Sequence, residues 1–448
     1  MQVRNWAQGA TFKAMAVGVL TVLMLIPLSQ VQGLIQERQG LEFQARQKIA
    51  ERWGEAQVLG GPVLVVPMRK QVQGEKGWIA TEQEHYLFPE QLTIEGHLST
   101  EIRRYGIYAT PVYSATLAIS GRFDSAAITA LAEKSGEPQW AEAVLRVPVS
   151  DVSGIRRLSS LTLDGVERPF RPGGPGVGEF AATEVAWPEL VDGGGAGTAR
   201  DFSFDLNLAG TGSIGLLPLA RQTDARISAD WPDPGFSGAF LPASHREEGD
   251  KFEALWQVLD LNRAYGQAGT LGSLDGTTLR ESAFGVELYQ PVATYQRNER
   301  AGKYGILFIA MTFVSLFLFE ALGRWRVHPV QYLMVGLALC TFYVVLLALS
   351  EQIGFGWAYA IAGIAVVAII AGYAAAAAHS RSAGNLLGML LALVYLLLYG
   401  LVVSEQYSLL MGAIALLAAI TALMYLTRRI DWYGLSGGPI RATGRMPS

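Results

Sequence analysis

One short stretch of this sequence collects the residue types that acid–base chemistry uses. Phe317–Gln331 reads FLFEALGRWRVHPVQ and contains Glu320, Arg324, Arg326 and His328. A carboxylate, two guanidinium groups and an imidazole could relay protons or hold an anion if they lay inside a membrane. The alternative is structural, because Glu320 and Arg324 stand four residues apart and would pair on one face of a helix.

Two further acids lie in a repeated tripeptide. Ser-Glu-Gln at 350–352 and 404–406 puts Glu351 and Glu405 in short loops between apolar runs. Each tripeptide follows a basic loop that contains a histidine, which suggests that a two-helix hairpin is repeated. The alternative is that serine and glutamate suit short loops, where a glutamate also stabilises the positive end of the next helix.

A third candidate is aromatic. Asp230–Ala243, DWPDPGFSGAFLPA, sets Trp231, Phe236 and Phe240 among prolines and glycines. Such a rigid loop could present its rings to a partner. The alternative is that the rings cover the core of their own domain.

The remaining patterns argue against sites for cofactors, metals or nucleic acid. Gly210–Gly215, GTGSIG, fits GxGxxG, but Pro218 follows and no helical pattern does, so we interpret it as a turn. The five histidines have no metal-ligand spacing, and the single Cys340 excludes an intrachain disulfide. The net charge of −4 is no footprint for nucleic acid. We therefore predict no catalytic, cofactor-binding or metal-binding residues.

The elements that hold these candidates include membrane helices. Only 17% of the residues are charged, against about 25% in soluble domains, and 50% are hydrophobic. Residues 37–300 resemble a soluble protein, whereas 304–427 are almost all apolar. A span needs about 20 apolar residues. Six segments qualify: 14–35, 304–322, 330–349, 355–376, 386–403 and 409–426.

The first segment has two interpretations. Ala14–Ile35 could be a cleaved signal peptide, with Val31-Gln32-Gly33 as the cleavage site. We favour an uncleaved anchor, because a polar, helix-favouring stretch continues without a break into a connector at 36–53. We expect Pro27 to kink this helix near its outer end.

Basic residues predict the orientation. They lie in 1–13, in the loops after the second and fourth spans, and in the tail at 428–448, whereas the two Ser-Glu-Gln loops have none. Basic loops stay in the cytoplasm. Both termini are therefore predicted to be cytoplasmic and residues 36–300 periplasmic, which puts Glu320 near the inner end of its span and favours its structural interpretation.

The large segment has the pattern of a β domain. Strand signals separated by glycine and proline run through 60–300, and helical patterns are confined to 34–52, 125–134 and 245–259. The predicted fold is an α plus β membrane protein with six transmembrane helices. A large, mainly antiparallel β periplasmic domain, a sandwich or layered sheet, is inserted between helices 1 and 2.

Long runs of the sequence resemble the CreD family of bacterial inner membrane proteins. The resemblance covers nearly the whole chain, and it rests on Gly60–Pro67, Gly210–Ala243, Arg300–Phe355 and Leu426–Gly434. It implies an inner membrane protein tied to cell envelope integrity and to the response to envelope stress or β-lactams. It implies no assigned reaction and no catalytic residues.

Three functions fit these observations. We favour non-enzymatic sensing or scaffolding through the periplasmic domain, with the lipid bilayer and other envelope proteins or cell-wall components as partners and no nucleic acid. A transporter or lipid-handling protein is one alternative, although charged groups near the middle of the spans are scarce. An envelope enzyme acting on lipid or cell-wall precursors is the other, although no acid, base and nucleophile converge in a known pattern.

Overall fold

The chain divides into two compact units. The computed structural model describes residues 10–74, 77–188, 190, 200–288, 294–323, 327–404 and 408–428. Glu42–Pro291 forms one unit, which we call the β unit. Met1–Leu41 and Val292–Ser448 form the other, the helical unit.

Two sheets make up the β unit. Their strands, as far as the structure describes the unit, are β1 (Gln57–Gly60), β2 (Val63–Gly74), β3 (Gly77–Leu87), β4 (Gln91–Tyr105), β5 (Tyr108–Phe123), β6 (Glu137–Pro138), β7 (Val144–Val149), β8 (Ile155–Leu158), β9 (Leu161–Leu163), β10 (Val166–Arg168), β11 (Ala181–Ala186), β12 (Arg200–Thr211), β13 (Ser213–Leu217), β14 (Gln222–Ala229), β15 (Pro234–Gly238), β16 (Ser244–Glu248), β17 (Lys251–Leu259), β18 (Ala268–Thr270) and β19 (Phe284–Leu288).

Strand pairing is mainly antiparallel, as the sequence predicts. One sheet has the order β15-β19-β13-β1-β7-β2-β3-β18, with β11 on β7 and β6 on β2. The other has the order β10-β9-β12-β5-β4-β14-β17-β16, with β8 on β12. Two pairs are parallel, β1 with β13 and β4 with β14, so both sheets are mixed.

Apolar residues of both sheets share one core. Leu59 and Leu64 of the first sheet belong to the same buried cluster as Leu92 and Ile94 of the second. The sheets therefore pack face to face, which is the layered arrangement expected of two half-apolar surfaces.

The helix predicted at 245–259 is wrong. This segment forms β16 and β17, which pair from Ser244 with Leu255 to Glu248 with Lys251. In β17, Phe252, Ala254, Trp256 and Val258 are buried. Strict alternation has the period of a strand, and that period outweighs the helix propensity of the glutamates and leucines. The helix predicted at 125–134 is present and spans Ser125–Ser135.

Helices lie before, between and after the strands. They are α1 (Ala10–Leu23), α2 (Leu25–Trp53), α3 (Ser125–Ser135), α4 (Gly276–Glu281), α5 (Thr294–Lys303), α6 (Gly305–Gly323), α7 (Pro329–Ile353), α8 (Phe355–Ala377), α9 (Arg381–Val403) and α10 (Ser408–Thr427). Within the described residues, four helices are long and apolar enough to cross a membrane, or five if α5 and α6, bent by 44°, count as one span.

Proline accounts for the break between α1 and α2. Pro27 has no N–H to donate to the carbonyl of Leu23, four residues earlier, and its ring clashes with that carbonyl. The interruption falls at Met24, where Met24 N still donates to Leu20 O at 3.0 Å and Leu28 N to Met24 O at 3.2 Å. The interruption therefore lies one turn before the proline.

Small residues bring α8 and α9 close together. A Cβ at Gly384 would lie 2.5 Å from Ala375 Cβ, and one at Gly388 would lie 2.9 Å from Ala371 Cβ. The glycines are four residues apart on α9, and so are the alanines on α8. This is the pattern that lets membrane helices pack with their backbones in near contact.

Candidate functional site

Glu320 accepts hydrogen bonds from the turn and the helix that follow it. Its side chain is only 8% exposed. Oε1 accepts from Val327 N at 3.2 Å, and Oε2 accepts from the hydroxyl of Tyr332 at 3.3 Å. The Tyr332 ring packs edge-on against Phe313 at 5.7 Å. We call Glu320, Val327 and Tyr332 the Glu320 cluster; it ties the end of α6 to the start of α7.

His328 caps helix α7. Its Nδ1 accepts from Val330 N at 3.3 Å, and its own N–H donates to Gln331 Oε1 at 2.9 Å. The two bonds form a reciprocal capping box, with Pro329 in the first turn. The described bonds of His328 thus serve the start of its own helix.

The structure gives contacts for part of the stretch Phe317–Gln331. The structure joins Glu320 to Tyr332 and to a backbone amide, and it joins His328 to its own helix start. Arg324 and Arg326 lie outside the described residues, so the predicted pair of Glu320 with Arg324 stays a prediction. The described geometry is that of a buried helix-end acceptor beside a capped helix.

A second carboxylate, whose side chain is 11% exposed, lies at the other end of α7. Glu351 Oε1 accepts from the Tyr295 hydroxyl at 2.9 Å and faces Arg38 Nε at 3.8 Å. Next to it, Asn298 Nδ2 donates to Ser350 Oγ at 2.9 Å, and both of these residues are buried. We call these five residues the Glu351 cluster. It joins three helices, since Arg38 belongs to α2 and Tyr295 and Asn298 to α5.

A neighbouring contact also links α2 with α5. Gln39 Nε2 donates to Glu299 Oε2 at 3.4 Å, and Glu299 pairs with Lys303 one turn later at 2.9 Å. The two segments that lead into and out of the β unit are thus joined to each other as well as to α7. Glu405, the second acid of the repeated tripeptide, lies outside the described residues.

The aromatic loop packs on its own core. Trp231 is buried, and Phe236, in β15, lies edge-on to Trp256 at 5.9 Å. Phe240 meets Phe284 at 6.1 Å, and its carbonyl accepts from Trp256 Nε1 at 3.1 Å. The described contacts of these three rings are those of a loop covering its core. Their role as a partner surface stays a prediction.

An open groove on the β unit had no signal in the sequence analysis. It encloses about 840 Å³ and is lined by residues of 83–84, 176–179 and 270–277. Its carboxylates already have partners. Arg146, almost fully buried, binds Glu84 through two bonds of 2.9 and 2.6 Å. Glu179 pairs with Arg280.

Asp275 at the groove caps α4. Its carboxylate accepts from Thr278 Oγ1 at 2.7 Å and from Thr278 N at 2.9 Å. The side-chain bond first and the backbone bond second lower the pKa of Asp275. The groove has the size of a ligand site, but its acids are committed to folding contacts.

A small apolar cavity lies beside the Glu320 cluster. An apolar cavity of about 50 Å³, lined among others by Leu316, Val335, Tyr373 and Leu387, lies among helices α6 to α9 of the described chain. Small-molecule sites measure roughly 300–1,000 Å³. Among the described residues, no three His, Cys, Asp or Glu side chains could hold a metal ion together.

The sequence signals the acids Glu320 and Glu351 but not the residues that bind them. Tyr332, Tyr295, Asn298 and Arg38 bear no motif, because the contacts run between helices whose pairing is decided in three dimensions. The spacing of Gly384 and Gly388 was a readable signal, since two glycines four apart in an apolar segment mark a close helix contact.

Comparison with known proteins gives two matches that agree. The sequence model of the CreD family, described as inner membrane protein CreD, matches residues 9–433. Inner membrane protein CreD of Escherichia coli (strain K12) is 31% identical over 430 residues, which cover 94% of this chain and 93% of that protein. These matches confirm the resemblance inferred from the sequence.

Proposed function

Since the chain belongs to the CreD family of inner membrane proteins, we propose that it contributes to cell envelope integrity and to the response to envelope stress or β-lactams. It acts as a multi-pass inner membrane protein. Its role is non-enzymatic sensing or scaffolding through the β unit, whose partners are other envelope proteins or cell-wall components.

The proposed topology has six spans, with the β unit in the periplasm between the first and second. Both termini and the basic loops are cytoplasmic. Helices at each of the predicted spans support this arrangement. So does the placement of basic residues on alternate sides of the spans.

One observation carries the sensing role: the two tethers of the β unit meet on α7. The chain reaches the β unit through α2 and leaves it through α5, and the Glu351 cluster binds both to the end of α7. A displacement of either tether therefore acts on the same buried polar contacts. In a low-dielectric surrounding, a polar group that leaves one hydrogen-bond partner must take another, because an unpaired group is costly. Such contacts are therefore suited to switching between two discrete arrangements.

The described partners of Glu320 and Glu351 support a non-enzymatic role. Glu320 and Glu351 each accept a bond from a tyrosine of a neighbouring helix or helix start. Catalysis needs groups that converge on a space where a substrate fits. The described surroundings of Glu320 offer about 50 Å³.

A deletion tests the receiving role of the β unit. Residues 60–280 are removed while the helices are kept, and the truncated chain is assayed for rescue of envelope-stress and β-lactam phenotypes in cells that lack the gene. We expect no rescue at normal membrane abundance. Full complementation would show that the function does not need the β unit, and it would contradict the proposed receiving role.

A second test separates structure from chemistry at Glu320. Glu320→Gln keeps the shape of the side chain and removes its charge. A structural acceptor predicts that abundance and function fall together. Loss of function at normal protein level would instead favour proton coupling or catalysis.

The partner itself can be captured. A photo-crosslinking residue is placed at Leu241, which is 74% exposed within the aromatic loop, and a second one at Thr277 on the rim of the groove. Leu261, exposed elsewhere on the β unit, serves as the matched control. A partner trapped from Leu241 or Thr277 but not from Leu261 would support the scaffold. Equal labelling at all three positions would count against a defined receiving surface.

A further inference from the structure

The hairpin of β4 and β5 extends beyond the core of the β unit. Its strands pair continuously as far as Tyr105 with Tyr108. Leu98 is the last buried residue of β4, and all seven residues from Glu101 to Ile107 are exposed. We call Glu101–Ile107 the hairpin tip.

A two-residue turn gives this tip a defined shape. Gly106 and Ile107 connect the strands, and Gly106 has a φ of +62°. A type II′ turn requires glycine at this first central position, because a Cβ would clash there. The tip is therefore a regular hairpin end.

The tip combines apolar and basic side chains. Ile102 is 55% exposed and Ile107 48%, and the Tyr105 ring is exposed beside them. Arg103 pairs with Glu101 at 2.6 Å, whereas Arg104 has no ion pair within the described residues. The described side chains of the tip thus carry a net positive charge next to isoleucines that no core covers.

Contacts with α2 give the direction in which the tip points. Arg103 stacks on Trp53 at 4.3 Å, and Lys48 Nζ lies 3.4 Å from the Tyr105 hydroxyl. Five residues back along a helix cover about 7.5 Å, and two residues along a strand cover about 7 Å. Helix and strand therefore run side by side in opposite directions, so the tip points toward Glu42, where the β unit begins.

Glu42 belongs to α2, whose first residues, 25–35, are the last part of the apolar N-terminal segment. The exposed apolar and basic tip therefore lies beside the polar part of a helix that begins in that segment. Tyrosine favours the headgroup layer and arginine favours anionic headgroups, and isoleucine gains by leaving water.

We propose that the hairpin tip inserts into an anionic phospholipid surface. Ile102 and Ile107 enter the apolar boundary, Tyr105 lies among the headgroups, and Arg104 binds lipid phosphate. These four exposed side chains would bind weakly by themselves. The covalent tether supplies a high effective concentration, so a weak contact suffices to hold the β unit at the surface.

The test places a fluorophore on the tip of the full-length chain. The only cysteine, Cys340, is buried and is replaced by alanine. Ile107→Cys then carries an environment-sensitive dye, and the protein is reconstituted in lipid nanodiscs with about one phosphatidylglycerol in four phosphatidylcholines. Spin-labelled lipid should quench this dye at least about twofold more strongly than a dye at Leu261→Cys, which starts from an 88% exposed site.

Two further arms make the outcome decisive. Quenching at Ile107→Cys should fall in nanodiscs of phosphatidylcholine alone, and Arg104→Glu should lower it in the mixed lipid. Equal quenching at Ile107→Cys and Leu261→Cys would overturn the proposal, and so would a dye shielded from aqueous iodide but unquenched by lipid, since a protein surface would then cover the tip. Unchanged quenching without anionic lipid would overturn the electrostatic part.

Discussion

Glu320 and Glu351 show the same solution to burying a carboxylate near the end of a membrane helix. Each accepts from the hydroxyl of a tyrosine that a different helix supplies. An unpartnered carboxylate in such a place is expensive, whereas a hydrogen bond to a charged group contributes about 1.5–3 kcal/mol. At this scale the acids act as acceptors that hold helix ends in register.

Removing the Tyr332 hydroxyl should lower stability. Tyr332→Phe keeps the ring against Phe313 and leaves Glu320 with one fewer donor, so we expect a loss of about 1–3 kcal/mol. Denaturant unfolding of the full chain in detergent measures it. Tyr373→Phe, an exposed tyrosine on α8, is the control. Equal unfolding free energies for the two variants would contradict the structural assignment of Glu320.

The hydrogen bonds of Asp151 should make part of the stability of the β unit sensitive to acid. Burial opposes ionisation, but bonds from Ser153 Oγ at 2.8 Å, Glu55 N at 3.0 Å and Ser153 N at 2.9 Å outweigh it and lower the pKa of Asp151. A lowered folded pKa contributes stability above the unfolded pKa, and that stability is lost as the pH falls through the folded value.

The matched variants are Asp151→Asn and Asp205→Asn, the latter at an exposed position on β12. Asp151→Asn should lower the melting temperature at pH 7, and its difference from the unmodified chain should shrink below about pH 4. Asp205→Asn should follow the unmodified chain. A difference for Asp151→Asn that stays constant across this range would show that the carboxylate charge contributes nothing.

At the scale of elements, sequence patterns worked where one chain segment carries the whole signal. Strands β9 and β10 form a hairpin joined by Asp164 and Gly165, both with positive φ. The turn assigned to Gly210–Gly215 is a turn at Gly212, between β12 and β13. Pattern reasoning failed at 245–259, where a strand edge is built from residues that favour helices.

Packing between α8 and α9 predicts different effects on stability for two glycine-to-alanine substitutions. Gly384→Ala would bring a Cβ to 2.6 Å from Ala371 O and 2.5 Å from Ala375 Cβ. We expect a loss of about 1–3 kcal/mol from overpacking. Gly372→Ala meets no atom within 4 Å and should be neutral or gain up to about 1 kcal/mol from helix propensity. Thermal unfolding in detergent compares them, and similar losses would contradict the close contact.

At the scale of the whole molecule, the chain leaves and re-enters the helical unit through two helices bound to a third. Met24, Leu28, Val31 and Ile35 of the N-terminal segment are buried, and Leu28 and Met24 lie against Gly305 and Gly336. The uncleaved anchor stays a prediction. A cleavage after Val31-Gln32-Gly33 would remove part of this packing.

The proposed topology predicts the side on which the β unit lies. A reporter that works only in the cytosol, fused after Ser150, should be inactive, because that position would be in the periplasm. The same reporter fused after Arg428 should be active, and comparison of the two at equal protein level is the measurement. Activity after Ser150 would invert the topology and remove the basis for periplasmic sensing.

By itself, the sequence determined the division into an apolar helical part and a β-rich part, and the family. These depend on composition and on periods within single segments, which are local and additive. The tertiary structure alone decided which sheets share a core, which tyrosines satisfy Glu320 and Glu351, and how both tethers meet on α7. Those contacts join residues from 12 to more than 300 positions apart, such as Glu320 with Tyr332 and Arg38 with Glu351. No local pattern encodes a partner at that separation, because burial and helix packing choose it.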